Sequence, residues 1–157
     1  MQDKQTSKAI GRLALASDHA GYRYKEAIKE HLQRNGYAVR DFGTSSEEMV
    51  DYPCFVQPAA RSVARGEAEA GIVLGGSGNG EAMAANKIPG VRCAVCWNRD
   101  SARLAKEHNN ANVISLGQRM MSLDAALEIV DAWLGATFQQ GRHSQRIEQL
   151  EDPGLCP

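Results

Sequence analysis

Gly71-Ile-Val-Leu-Gly-Gly-Ser-Gly-Asn-Gly-Glu-Ala-Met-Ala-Ala-Asn-Lys87 decides the reading of this chain. Gly71 to Leu74 is a short apolar run of strand type, and Glu81 to Lys87 has the composition of a helix. Between them, Gly75-Gly-Ser-Gly-Asn-Gly80 holds four glycines in six residues. A strand that turns through glycines into a helix is the repeating joint of an α/β protein. Glycines let main-chain N–H groups come close to a ligand, and a helix N-terminus adds a positive end, so the joint has the composition of an anion site.

The same strand–helix rhythm runs outward in both directions. Upstream, Ile10–Ser17 reads as a strand that ends at Asp18-His19-Ala20-Gly21, and Tyr22–Arg34 as an amphipathic helix stopped by Asn35-Gly36. Tyr37–Phe42 is a second strand, and a helix follows from Pro53 to about Arg65, with Gly66 as its stop. Downstream, Val91–Trp97 and Ala111–Leu116 read as strands, with a helix over Asp100–Glu107 between them. Ser122 is a good N-cap for a helix over Leu123–Phe138, and a polar last helix lies within Gly141–Glu151. Five strands joined by helices predict an α/β fold: a Rossmann-like three-layer αβα sandwich around a five-stranded parallel sheet. Ligands of such sheets bind outside the carboxyl ends of the strands, and each motif considered below is expected at such an end.

The 157 residues are expected to form a single domain, with loose termini at 1–8 and 152–157. Composition is that of an ordinary globular chain, 43% hydrophobic and 24% charged. A net charge of -1 offers no basic field for nucleic acid. No apolar run approaches the length of a membrane helix, and Met1–Lys8 lacks a signal-peptide apolar region, so a cytoplasmic protein without a membrane partner is expected. Cys93 and Cys96 are spaced like a metal or redox pair, but residues three apart on a strand point to opposite faces, which favours buried thiols.

The glycine loop lacks the Lys-Ser/Thr of a P-loop and the context of a dinucleotide fingerprint. Two readings stay open: a tight turn, or a pocket for a phosphate or a developing oxyanion. Glu81 likewise reads as a first-turn acid facing the helix dipole, or as a base aimed at the volume that the loop N–H groups line. A base with preorganised N–H donors suits proton abstraction next to a carbonyl. Asp18 and His19 read as a helix cap or as polar groups at the ligand edge. His108 reads as a helix-terminal cation or as a proton carrier near neutral pH. Arg119 follows the last strand, and Arg142 and Arg146 share one helix face; arginine forks suit phosphate.

Together these pieces resemble the type B ribose-5-phosphate isomerase family, which includes galactose-6-phosphate and allose-6-phosphate isomerases. The resemblance rests on Ala16-Ser-Asp-His-Ala-Gly21, Val50-Asp-Tyr-Pro53, Gly75–Glu81, Ala84-Ala-Asn-Lys87, Glu107-His-Asn-Asn-Ala111, Leu116-Gly-Gln-Arg119 and Gly141-Arg-His143 with Arg146. It covers roughly residues 10 to 150 and implies a homodimer, or a dimer of dimers, whose active sites lie between subunits, with no metal and no organic cofactor. It implies that Glu81 is the base, that Asp18 and His108 assist ring opening, and that Asn109 holds sugar hydroxyls. His19, Arg119, Arg142 and Arg146 would hold the phosphate, some from the second subunit. Gly76, Ser77, Gly78, Asn79 and Gly80 would form the anion hole, and Tyr52 would line the sugar pocket.

The implied reaction interconverts ribose 5-phosphate and ribulose 5-phosphate through a cis-enediolate. Alternatives are a four- or six-carbon aldose phosphate as substrate, or a non-catalytic phosphosugar-binding domain. The chain departs from the family pattern at two positions. Gly75 stands where many members carry a cysteine base, and Cys54 stands where an acidic residue often follows Tyr-Pro.

Overall fold

A computed structural model describes residues 10–157; the expected loose segment 1–8 lies outside the described residues. Five strands, β1 (Arg12–Ser17), β2 (Ala38–Asp41), β3 (Ala70–Gly75), β4 (Cys93–Val95) and β5 (Val113–Gly117), form one sheet in the order β2-β1-β3-β5-β4. Every pairing is parallel. The helices are α1 (Tyr22–Arg34), α2 (Pro53–Ala64), α3 (Asn79–Asn86), α4 (Arg99–Asn109), α5 (Leu123–Gly135) and α6 (Arg142–Glu151).

Side-chain size divides the two faces of the sheet. Leu13, Leu15, Ile72, Leu74, Ile114 and Leu116 point to the face covered by α1, α4 and α5, where Trp133 is fully buried and its Nε1–H donates to the Ala111 carbonyl at 3.1 Å. Ala14, Ala16, Val73 and Val113 point to the other face, against Ala59 and Ala60 of α2 and Ala84 and Ala85 of α3. Small side chains on both sides of that contact let α3 pack tightly on the sheet. The first residues of α3 are thereby carried to the end of β3.

Element bounds differ from expectation where side chains intervene. α3 begins two residues before Glu81, so Asn79 and Gly80 belong to its first turn. β4 is shorter than Val91–Trp97, since at its start the Arg92 amide donates to the Asn112 side chain at 2.8 Å. At its other end the Trp97 amide turns to the Ser101 hydroxyl at 3.0 Å, beside the capping box that opens α4. α5 stops at Gly135, and Ala136 is already extended. Ser122 caps α5 as its residue type suggests, accepting from the Ala125 amide at 3.2 Å. Past α6, Pro153–Leu155 closes one exposed 3₁₀ turn, capped by Asp152.

Cys93 and Cys96 belong to opposite core clusters, as strand alternation requires. Burial pushes both thiols up, Cys96 to about 12. Of the described helices, none is long and apolar enough to cross a membrane.

Candidate active site

The strand order reverses direction between β1 and β3, and the carboxyl ends of those two strands carry Asp18-His19 and the glycine loop. That crevice is where doubly wound sheets bind ligands. The loop is packed onto the end of β5. The Ser115 hydroxyl donates to the Gly78 carbonyl at 2.7 Å, and the Gln118 and Arg119 amides donate to the Gly75 and Gly76 carbonyls at 2.9 and 3.0 Å. Gly78 sits at φ 83°, a left-handed conformation that glycine adopts without strain. The Asn79 amide donates to the Ser77 hydroxyl at 3.2 Å. Among the described residues, the amides of Ser77, Gly78 and Gly80 meet no protein acceptor and remain open to an anion.

Glu81 lies 4% exposed at the mouth of this loop, on the third residue of α3. A Cβ on Gly75 would overlap its carboxylate, and would stand 2.5 Å from Oε2. The missing side chain at 75 is therefore the space that the carboxylate fills, so a cysteine at 75 and this Glu81 conformation exclude one another. Burial is the largest influence on Glu81 and raises its pKa. Its own amide opposes the shift, while the adjacent Asp18 carboxylate reinforces it. The group is thus held nearer to neutral pH than an ordinary glutamate, as a proton acceptor in catalysis requires.

Asp18 meets both readings offered by the sequence. Its Oδ1 accepts from the Ala20 and Gly21 amides at 2.9 and 3.1 Å, shaping the turn into α1, and its charge faces Glu81. His19 is oriented by the loop after β2: its Nδ1 accepts from the Val50 amide at 3.2 Å, which leaves Nε2 to carry a proton or meet a ligand. Tyr52 rests over Gly80, its hydroxyl 3.0 Å from where a Cβ there would stand, and Arg119 rests over Gly76, with Nη1 at 3.1 Å on the same measure. Asp18, His19, Tyr52, Gly76–Gly80, Glu81 and Arg119 are therefore brought together in one chain. Cys54 is exposed on the first turn of α2.

His108, Asn109, Arg142 and Arg146 are not brought there, which corrects the expectation that each motif stands at the carboxyl end of a strand. α4 runs back along the sheet, so its last residues lie beside the amino end of β5. β5 alone separates that end from the Gly75 row by roughly 13 Å, at about 3.3 Å per residue. There the residues form a second cluster. The rings of His108 and His143 stack with centroids 4.4 Å apart and planes 12° from parallel. Arg142 and Arg146 flank His143, exposed on α6, and Asn109 is exposed beside them. Arg92 ties this cluster down, donating to the Asn109 and Asn110 carbonyls at 3.1 and 2.9 Å and to Glu151 at 2.6 Å. No local motif marks Arg92, since its carboxylate partner is 59 positions away.

Two clusters stand at opposite ends of the strands of a doubly wound sheet, one with a carboxylate beside a glycine loop and one with histidines and arginines. The Ribose/Galactose Isomerase family profile matches residues 13–150. The chain belongs to that family. Ribose-5-phosphate isomerase B of Escherichia coli K12 is 44% identical over 139 residues, covering 88% of this chain and 93% of the relative. Among solved family structures, the Clostridium thermocellum ribose-5-phosphate isomerase B superposes with a TM-score of 0.90 at 48% identity, over 91% of this chain and 97% of that one. The Mycoplasma genitalium enzyme, solved with ribulose-5-phosphate bound, gives a TM-score of 0.88 at 36% identity, over 91% of this chain and 95% of that one. Within this family the chain has Gly75 and Glu81 paired in one volume.

Proposed function

We propose that this chain is a single-domain, cytoplasmic ribose-5-phosphate isomerase of type B that works as a homodimer, or as a dimer of such dimers, with sugar phosphate as its small-molecule partner. The observation that carries the chemistry is the Glu81 carboxylate, buried over Gly75 at the start of the loop whose Ser77, Gly78 and Gly80 amides meet no acceptor among the described residues. A base and oxyanion donors that converge on one carbon–oxygen unit fit aldose–ketose isomerisation. The separation of Glu81 from His108 within one chain supports a site completed by a second copy.

The furanose first opens. The C1 hydroxyl loses its proton, the C1–O4 bond breaks and O4 gains a proton, with Asp18 and His108 of the partner subunit as the carriers. Glu81 then takes the C2 proton, and the loop amides hold the charge that develops on the enediolate oxygen. The O2 hydroxyl proton moves to O1 and Glu81 returns its proton to C1, which gives the ketose. One such oxyanion donor is worth about 2.7–4 kcal/mol in a water-excluded site. His19, Arg119 and the partner's Arg142 and Arg146 bind the phosphate, Asn109 of the partner subunit holds sugar hydroxyls, and Tyr52 walls the pocket beside Gly80.

The test is direct. The purified protein incubated with ribose 5-phosphate is expected to form ribulose 5-phosphate, with a higher kcat/KM than for four- and six-carbon aldose phosphates. Absence of conversion overturns the reading, and a better hexose phosphate moves it to another branch of the family.

A further inference from the structure

His143 is the one member of the basic cluster whose side chain is buried, 8% exposed between the exposed Arg142 and Arg146. A phosphate ligand needs an exposed cation, and this ring is turned inward onto His108 instead. The two imidazoles lie face to face, 4.4 Å apart and 12° from parallel.

The backbones that carry them are joined on both sides of the stack. Ahead of α6, the Gln139 amide donates to the Glu107 carbonyl at 3.0 Å and its side chain to the Glu107 carboxylate at 3.2 Å. Behind it, Arg92 bridges Glu151 to the carbonyls of Asn109 and Asn110. Burial, then the positive charges of His108, Arg142 and Arg146, holds the His143 imidazole below its ordinary pKa.

We propose that His143 is a positioning residue: its stacked ring fixes the plane from which His108 moves protons between the C1 hydroxyl and the ring oxygen. The proposal rests on the assignment of His108 to ring opening. An imidazole turned about its Cβ–Cγ bond moves its Nε2 by about 1 Å, and misplacement of a catalytic group by about 1 Å costs on the order of 10²-fold. A flat ring stacked parallel to it blocks that rotation without occupying either of its nitrogens.

The experiment separates ring opening from enediolate chemistry. Ribulose 5-phosphate cannot form a furanose, because its C5 oxygen carries the phosphate. Exchange of its C1 hydrogen with solvent deuterium therefore needs Glu81 and the loop but no ring opening. His143→Ala is expected to lower kcat on ribose 5-phosphate by about ten- to a hundredfold, with KM within about twofold and deuterium exchange near wild type. His143→Phe, which keeps a flat ring in the same space, is expected to restore most of that kcat. The proposal is overturned if His143→Ala keeps wild-type kcat, if it raises KM alone through loosened phosphate arginines, if exchange falls in step with turnover, or if His143→Phe is as slow as His143→Ala. His108→Asn distinguishes the underlying assignment: unchanged kcat in that variant removes His108 from ring opening, whatever the His143 variants do.

Discussion

The two ends of the sheet solve different problems. At the carboxyl end, one short segment supplies strand, glycine loop and carboxylate, and the chain closes the constellation by itself, since Gly75 vacates the volume that Glu81 enters. At the amino end, His108 and His143 meet across 35 positions, and Arg92 reaches Glu151 across 59, so this cluster is assembled from parts far apart in the chain. A motif contiguous in sequence yields a cluster whose members are neighbours from the start. A motif assembled from separate helices yields a cluster that exists only once those helices have packed.

The largest effect expected from breaking this contrast is at Glu81. Glu81→Gln keeps the shape and loses the base, so kcat on ribose 5-phosphate should fall by about 10²–10⁴-fold with KM nearly unchanged in steady-state assays. Next comes the vacancy itself. Gly75→Ala should displace the carboxylate and cost on the order of 10²-fold in kcat. In a Glu81→Ala background the same substitution should cost almost nothing further in stability or rate, because the conflict has gone; a double-mutant cycle by denaturant melts and turnover checks this.

A smaller but more pointed effect joins the two ends. Glu81→Gln and His108→Asn proteins, each nearly inactive, should regain up to about a quarter of wild-type activity after they are mixed, unfolded and refolded together. Half of the resulting dimers are mixed, and each of those holds one intact site of two. No recovery would place both residues in the service of one chain.

The smallest effect is on stability. The folded-state pKa of Glu81 is raised, so the folded protein binds that proton more tightly than the unfolded chain. Stability therefore declines as pH rises from the usual carboxylate value through the raised one, and at neutral pH the buried charge costs free energy. Glu81→Gln should thus be more stable than wild type at neutral pH, and the difference should shrink in acid, as urea unfolding at the two pH values would report.

Most of the fold was legible because it rests on local rules. Apolar runs alternating with helical periodicity, and stops such as Asn35-Gly36, depend on neighbours within a turn or two. Boundaries shifted where a side chain distant in sequence took over a backbone group, as Asn112 does for Arg92 at the head of β4. The candidate site was half legible in the same sense: the glycine loop and Glu81 are adjacent, whereas the placement of His108 depends on the direction in which α4 crosses the sheet.

By itself, the sequence determined an α/β sandwich of parallel strands, a glycine-rich loop between strand and helix, and the carboxylate that directly follows that loop. Periodicity, glycine placement and helix polarity act over a few residues and survive being read in one dimension. Only the tertiary structure decided that the Glu81 carboxylate fills the space over Gly75, that Asp18 presses on its charge, and that His108 stands toward the opposite end of the strands, stacked on His143. Those are contacts across the sheet and between helices, where excluded volume and low dielectric act on groups that the chain separates and only packing brings together.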